Sequence, residues 1–218
     1  SASNVMAGHE TTLPITLDQM IYHASSVVRA VKRALVVVDL PFGSYQGNSK
    51  EALNSAIRIM KESGAHAVKL EGGAEIIESV TRILSAGVPV MGHLGLTPQS
   101  LHQLGGYRVQ GRTDGDAIVE AALALEKAGA FAIVLELVPA DLASRISKAL
   151  TVPTIGIGAG TDCDAQVLVW TDMAGLTANP PKLAKAYRNL RKELMGAAQE
   201  FAEEVRSGKF PTESQTFH

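Results

Sequence analysis

The stretch Phe131-Ala-Ile-Val-Leu-Glu136 decides the fold, because it is a short β-branched apolar run that ends on one carboxylate. The pattern recurs. Ala34-Leu-Val-Val-Val-Asp39, Ala67-Val-Lys69-Leu-Glu71 and Val88-Pro-Val-Met-Gly-His93 are also strand-like and also end on a residue able to bind a metal or move a proton. Runs that are apolar throughout, without alternation, describe strands buried on both faces of a parallel sheet covered by helices. In such α/β folds ligands bind at the C-terminal ends of the strands. Asp39, Lys69, Glu71, His93 and Glu136 are thus expected to converge.

Between these runs lie helical segments, expected at 49–63, 74–85, 114–128 and 139–149, the first three stopped by or near Gly64, Gly87 and Gly129. Glycine there supplies the left-handed conformation that closes a helix. Strands are expected to start near 34, 66, 88, 131, 153 and 166. Six strands describe either an open sheet or a (β/α)8 barrel lacking two of its units. Residues 1–218 read as a single domain. The start at Ser1-Ala-Ser reads as a βα loop whose strand is absent from the sequence. A long amphipathic helix is expected over 182–206, with Leu183, Tyr187, Leu190, Leu194, Phe201 and Val205 as its apolar stripe. Its basic residues, Lys182 to Lys192, crowd the first half, either as a solvated face or to draw in anionic substrates.

Composition narrows the class. The chain has 218 residues, 46% of them hydrophobic and 19% charged, as in a globular enzyme. A net charge of -2 gives no positive field for nucleic acid. One cysteine, Cys163, rules out an internal disulfide and suits a cytoplasmic setting. No signal peptide and no membrane span are expected.

Each candidate residue has two readings. Asp39 and Glu71, on neighbouring strands, would repel without a cation; Mg2+ suits them, and helix capping is the structural alternative. Lys69 lies two residues before Glu71 and points to the same side. It would hold a substrate carboxylate or pair with Asp39 or Glu71. Glu136, in an apolar setting, would be a general base, or a cap or ion-pair partner. His93 is flanked by small residues that leave room for a ligand, although a lone histidine also suits a core position. Gly156-Ile-Gly-Ala-Gly160 lacks the spacing of a phosphate loop and reads as a tight βα turn. Cys163 reads as a packing residue. The glycine-rich loop 105–112 is a candidate lid.

Together, Asp39-Leu-Pro-Phe-Gly-Ser-Tyr45, Val68-Lys-Leu-Glu-Gly-Gly73, Gly92-His-Leu-Gly-Leu-Thr-Pro-Gln-Ser100, Gly106-Tyr-Arg-Val-Gln-Gly-Arg112, Leu135-Glu-Leu-Val-Pro139 and Ile155-Gly-Ile-Gly-Ala-Gly160 closely resemble the ketopantoate hydroxymethyltransferase family. The resemblance implies a (β/α)8 barrel, a homo-oligomer (usually a decamer), Mg2+, and transfer of a one-carbon unit from 5,10-methylenetetrahydrofolate to 3-methyl-2-oxobutanoate. It also implies roles. Asp39 and Glu71 match metal-site carboxylates, with Asp39 near the substrate as well. Ser1, Lys69 and His93 match substrate contacts, and Glu136 matches the catalytic base. Family members carry a segment before the position of Ser1 that forms the first two strands and ends in a metal-ligand aspartate. A Mg2+-dependent lyase or mutase of the phosphoenolpyruvate/pyruvate barrel type is the alternative. Cys163 argues against it, since it follows a late strand and many of those lyases place a cysteine in a lid.

Overall fold

The β-branched runs form strands where the sequence places them: β1 and β4 are shorter than their runs, β2 coincides with its run and β3 is shifted two residues onward. The computed structural model describes all residues from Ser1 to His218. The chain divides into two units, Ser1–Val167 and Leu168–His218. In the first, α1 (Ala2–Ala7) and α2 (Leu17–Ala30) precede β1 (Val37–Asp39), α3 (Ser49–Ser63), β2 (Ala67–Glu71) and α4 (Ile77–Ser85). Then come β3 (Val90–Gly95), the short α5 (Leu101–Leu104), α6 (Gly115–Ala128), β4 (Ala132–Glu136), α7 (Ala140–Ala149), β5 (Thr154–Ile157) and β6 (Ala165–Gln166). The six strands are parallel and pair in chain order, β1 to β6, making a half-barrel.

The two faces of this sheet differ. On the outer face Val38, Leu40, Val68, Leu70, Val90, Ile133 and Leu135 pack against Ala56 and Ile59 of α3, Val80 and Ile83 of α4, Leu125 of α6 and Ile146 of α7. The inner face carries a small cluster, Met91, Ala132 and Val134, bordered by Val37, Ile155 and Ile157. Burying the outer side chains is the main stabilising term, because apolar area leaves water at about 25 cal/mol per Å2.

Helix ends follow local chemistry. Gly64 and Gly129 take the left-handed conformation at the ends of α3 and α6. The N-terminus of α2 is closed by a capping box in which Thr16 and Gln19 satisfy each other's backbone N–H groups. No helix of the chain is long and apolar enough to cross a membrane.

The second unit holds α8 (Trp170–Met173) and α9 (Leu190–Ser207). The helix expected over 182–206 thus begins at Leu190. Residues ahead of it take a different course, because their N–H groups find partners elsewhere. Tyr187, Leu190 and Arg191 donate to the carbonyls of Met173, Ala174 and Gly175, and the Asn189 side chain accepts from the Lys192 N–H. Lys182, Lys185 and Arg188 therefore lie outside the helix, and so do Leu183 and Tyr187 of the expected stripe. The helical part of that stripe, Leu190, Leu194, Phe201 and Val205, is exposed.

Candidate active site

Strand register brings the polar termini together. Asp39 lies beside Lys69, Glu71 beside His93, and Gly95 beside Glu136. Because strand side chains alternate, this register puts Asp39, Lys69, Glu71, His93 and Glu136 on one face, and they project from the inner side at the C-terminal end.

They form a connected polar row. Lys69 Nζ is 3.1 Å from Asp39 Oδ1 and 3.1 Å from His93 Nδ1. An ammonium only donates, so Nδ1 accepts and the imidazole proton sits on Nε2. That nitrogen lies 3.3 Å from Glu136 Oε2 yet lacks a well-aligned hydrogen bond. A buried donor left so poorly satisfied is costly, and catalytic hydrogen bonds often tighten only with substrate in place. His93 Nδ1 is also 4.0 Å from Glu71 Oε1. Both readings of Lys69 thus have a basis: it pairs with Asp39, and it reaches toward the centre of the row.

Charge is balanced locally. Burial is the largest influence and pushes the Asp39 carboxyl up, but the Lys69 ammonium together with the other positive groups nearby outweighs it and leaves Asp39 below the usual carboxylate range. Burial acts against the Lys69 charge, and Asp39 and then Glu71 outweigh it, holding the ammonium above its ordinary value. Both groups are therefore charged at neutral pH.

Glu136 is aimed by its backbone. Its carbonyl accepts the Leu96 N–H at 2.7 Å. Gly95, at φ +88°, is pressed against it, and a Cβ there would lie 2.2 Å from the Glu136 carbonyl oxygen. Leu137 follows at φ 48°, a strained conformation for leucine. It is held on both sides, donating to the Ile157 carbonyl and accepting from Gln110 N–H. The latter bond ties the far end of the glycine-rich loop 105–112 to the residue after Glu136.

Beside the row lies a cavity of ≈ 320 Å3, lined by Ser1, Asp39, Glu71 and Gln99 at its polar end and by Ile15, Val27 and Val36 elsewhere. Polar convergence within an apolar hollow is the usual form of a small-molecule site. No group of three or more His, Cys, Asp or Glu side chains is gathered to hold a metal unaided. The donor chemistry nonetheless fits Mg2+, which takes one or two carboxylates and completes its shell with water and substrate oxygens. Asp39 Oδ1 is engaged by Lys69 and Glu71 Oε2 by the Gln99 N–H, which leaves each carboxylate its other oxygen.

Two residues of this site had no role in the sequence reading. Tyr45, almost wholly buried, accepts the Glu71 N–H at 3.1 Å. Burial, and next the Glu71 carboxylate, push its hydroxyl well above the usual range, so it stays protonated. Gln99 donates its backbone N–H to Glu71 Oε2 at 2.8 Å. Both stand inside motifs noted above, but neither residue type announces a contact to a neighbouring loop. Cys163 packs at the edge of the outer core, as its sequence setting suggested.

Sequence comparison agrees with this geometry. The family model for ketopantoate hydroxymethyltransferase matches residues 1–213, and the chain belongs to that family. It is 60% identical to the 3-methyl-2-oxobutanoate hydroxymethyltransferase of Flavobacterium johnsoniae, over 100% of this chain and 81% of that protein. The enzyme of the same name from Thermobifida fusca is 57% identical, over 100% of this chain and 78% of its own length. Among solved structures, phosphonopyruvate hydrolase superposes with a TM-score of 0.55 at 15% identity, covering 100% of this chain and 78% of that one. At that identity the likeness concerns the fold alone.

Proposed function

We propose that the chain transfers a hydroxymethyl group from 5,10-methylenetetrahydrofolate to 3-methyl-2-oxobutanoate, giving 2-dehydropantoate for pantothenate synthesis. The observation that carries the reading is the row Asp39–Lys69–His93–Glu136 set beside a cavity lined by Asp39 and Glu71.

Lys69 and Ser1 hold the substrate carboxylate and fix which face of C3 is presented. His93, with its proton on Nε2, steadies Glu136 and orients the keto acid. Glu136 takes the proton from C3. The C3 carbanion forms a bond to the methylene carbon, both bonds from that carbon to the two folate nitrogens break, water supplies the hydroxyl, and the nitrogens take up the proton from C3 and the proton released by water. Asp39 and Glu71 are the residues that would hold Mg2+, which when bound supplies Lewis acidity that lowers the barrier to losing the C3 proton.

The same reading takes the half-barrel as part of a (β/α)8 barrel and the working form as a cytoplasmic homo-oligomer, the decamer of the family. Leu194, Met195, Phe201 and Val205, exposed along α9, support an assembled state that covers apolar surface.

The test is exchange of the substrate C3 proton with deuterium. Glu136→Gln keeps side-chain size and removes the base, so exchange is expected to fall by about 10^2–10^4-fold. Exchange at the parent rate would remove Glu136 from the mechanism.

A further inference from the structure

Gln99 sits in the 3-10 turn Pro98–Ser100 directly after β3, at the polar end of the cavity. Its contacts run to two other βα loops. The side-chain Nε2 donates to the Leu40 carbonyl, the residue after Asp39, at 2.8 Å. Its Oε1 accepts from Gln46 Nε2 at 2.8 Å and lies 2.9 Å from the Tyr45 hydroxyl, whose proton it shares with the Glu71 carbonyl at 3.0 Å. Its backbone N–H donates to Glu71 Oε2. Tyr45 closes the loop, since its oxygen accepts the Glu71 N–H. One amide side chain thus fastens the backbone beside Asp39, and, through Tyr45, the backbone of Glu71.

The consequence is geometric. Asp39 and Glu71 come from different strands, and each strand end continues into its own loop. The sheet register pairs Asp39 with Lys69 and sets the two backbones, but it leaves open the aim of the two carboxylates, one on each strand end. Gln99 links the two, its half-buried amide engaged at both ends by the loop after β1 and its backbone N–H by Glu71.

We propose that Gln99 is the positioning residue that sets the separation of Asp39 and Glu71, and thereby the affinity of the pair for a divalent cation. This rests on the metal reading given above. It assigns Gln99 no contact with the reacting atoms.

Direct binding of Mn2+, followed by loss of the free-ion electron paramagnetic resonance signal, tests it in the intact chain with and without 3-methyl-2-oxobutanoate. Gln99→Met keeps length and removes every side-chain hydrogen bond. It is expected to weaken Mn2+ binding by about tenfold, the scale of one or two lost hydrogen bonds. The metal concentration that gives half-maximal deuterium exchange is expected to rise by the same factor, because the loss acts through metal affinity. Asp39→Asn serves as the reference and is expected to abolish tight binding. If Mn2+ binds the parent, is lost in Asp39→Asn and is unchanged in Gln99→Met, the positioning role is overturned and the metal reading stands. If the parent binds no Mn2+ even with the keto acid, or Asp39→Asn binds as well as the parent, the metal reading itself fails and takes this inference with it. Should Gln99→Met not fold, Tyr45→Phe decides, since it removes only the hydroxyl that links Gln99 to Glu71. It is expected to weaken binding in the same direction by about threefold, and unchanged binding there overturns the proposal.

Discussion

Leu135 and Glu136 are neighbours on β4, yet they serve opposite sides of the sheet. Leu135 is fully buried in the outer core among helices, and Glu136 closes the inner polar row. The same division runs through β2, where Leu70 faces the helices and Lys69 and Glu71 face the site. The outer face is held by dispersion and exclusion of water, which have no preferred direction. The inner face is held by hydrogen bonds and charge pairs, which do. Stability and chemistry are thereby assigned to alternate residues of the same strands, and a change on one face is expected to leave the other largely intact.

The comparison breaks most sharply at Glu136. Glu136→Gln is expected to lower C3 deuterium exchange by about 10^2–10^4-fold while leaving the melting temperature within a few degrees of the parent. One residue away, Leu135→Ala is expected to cost about 2–5 kcal/mol of stability by lost burial and an unfilled cavity. Its exchange rate per folded molecule should match the parent. Denaturant unfolding and exchange on the same samples check both, and a Leu135→Ala enzyme that is stable but inactive would show that the faces are not independent. Gly95→Ala lies where they meet. Its methyl group must displace both the Glu136 carbonyl and the Val138 side chain, at a φ of +88° that alanine disfavours. It is expected to cost about 1–3 kcal/mol and also to slow exchange, because Glu136 is re-aimed. The smallest effect lies away from both faces. Glu126 accepts the Thr151 and Val152 N–H groups after α7, and these bonds lower its pKa. A group depressed in the folded state adds stability above its unfolded pKa of about 4.3 and loses it as pH falls through the folded value. Glu126→Ala should therefore melt a few degrees lower than the parent at pH 7, and the gap should close as pH falls through the lowered folded-state value. A gap independent of pH would mean that the neutral carboxyl binds these amides equally well.

Much of this arrangement is written locally. Apolar runs ending on Asp39, Glu71, His93 and Glu136 identify strands and their ligand ends, because β-branched residues and a period of two need no distant partner to be recognised. Gly64 marks the end of α3 by the same kind of local rule. The capping box Thr16-Leu-Asp-Gln19 is equally local and announces α2, which the strand-centred reading passed over. The spacing of Leu183 and Tyr187 with Leu190 suggested helix ahead of Leu190, where there is none, because periodicity does not reveal that nearby N–H groups are claimed by Met173, Ala174 and Gly175.

The sequence by itself determined which residues carry charge at the strand ends and which pack beneath the helices, since residue type and alternation suffice for both. Tertiary structure alone decided that Lys69 stands between Asp39 and His93, that the imidazole proton faces Glu136, and that Gln99 and Tyr45 bind the loops together. Those outcomes depend on strand register and on the meeting of loops dozens of residues apart, distances over which local preference carries no information.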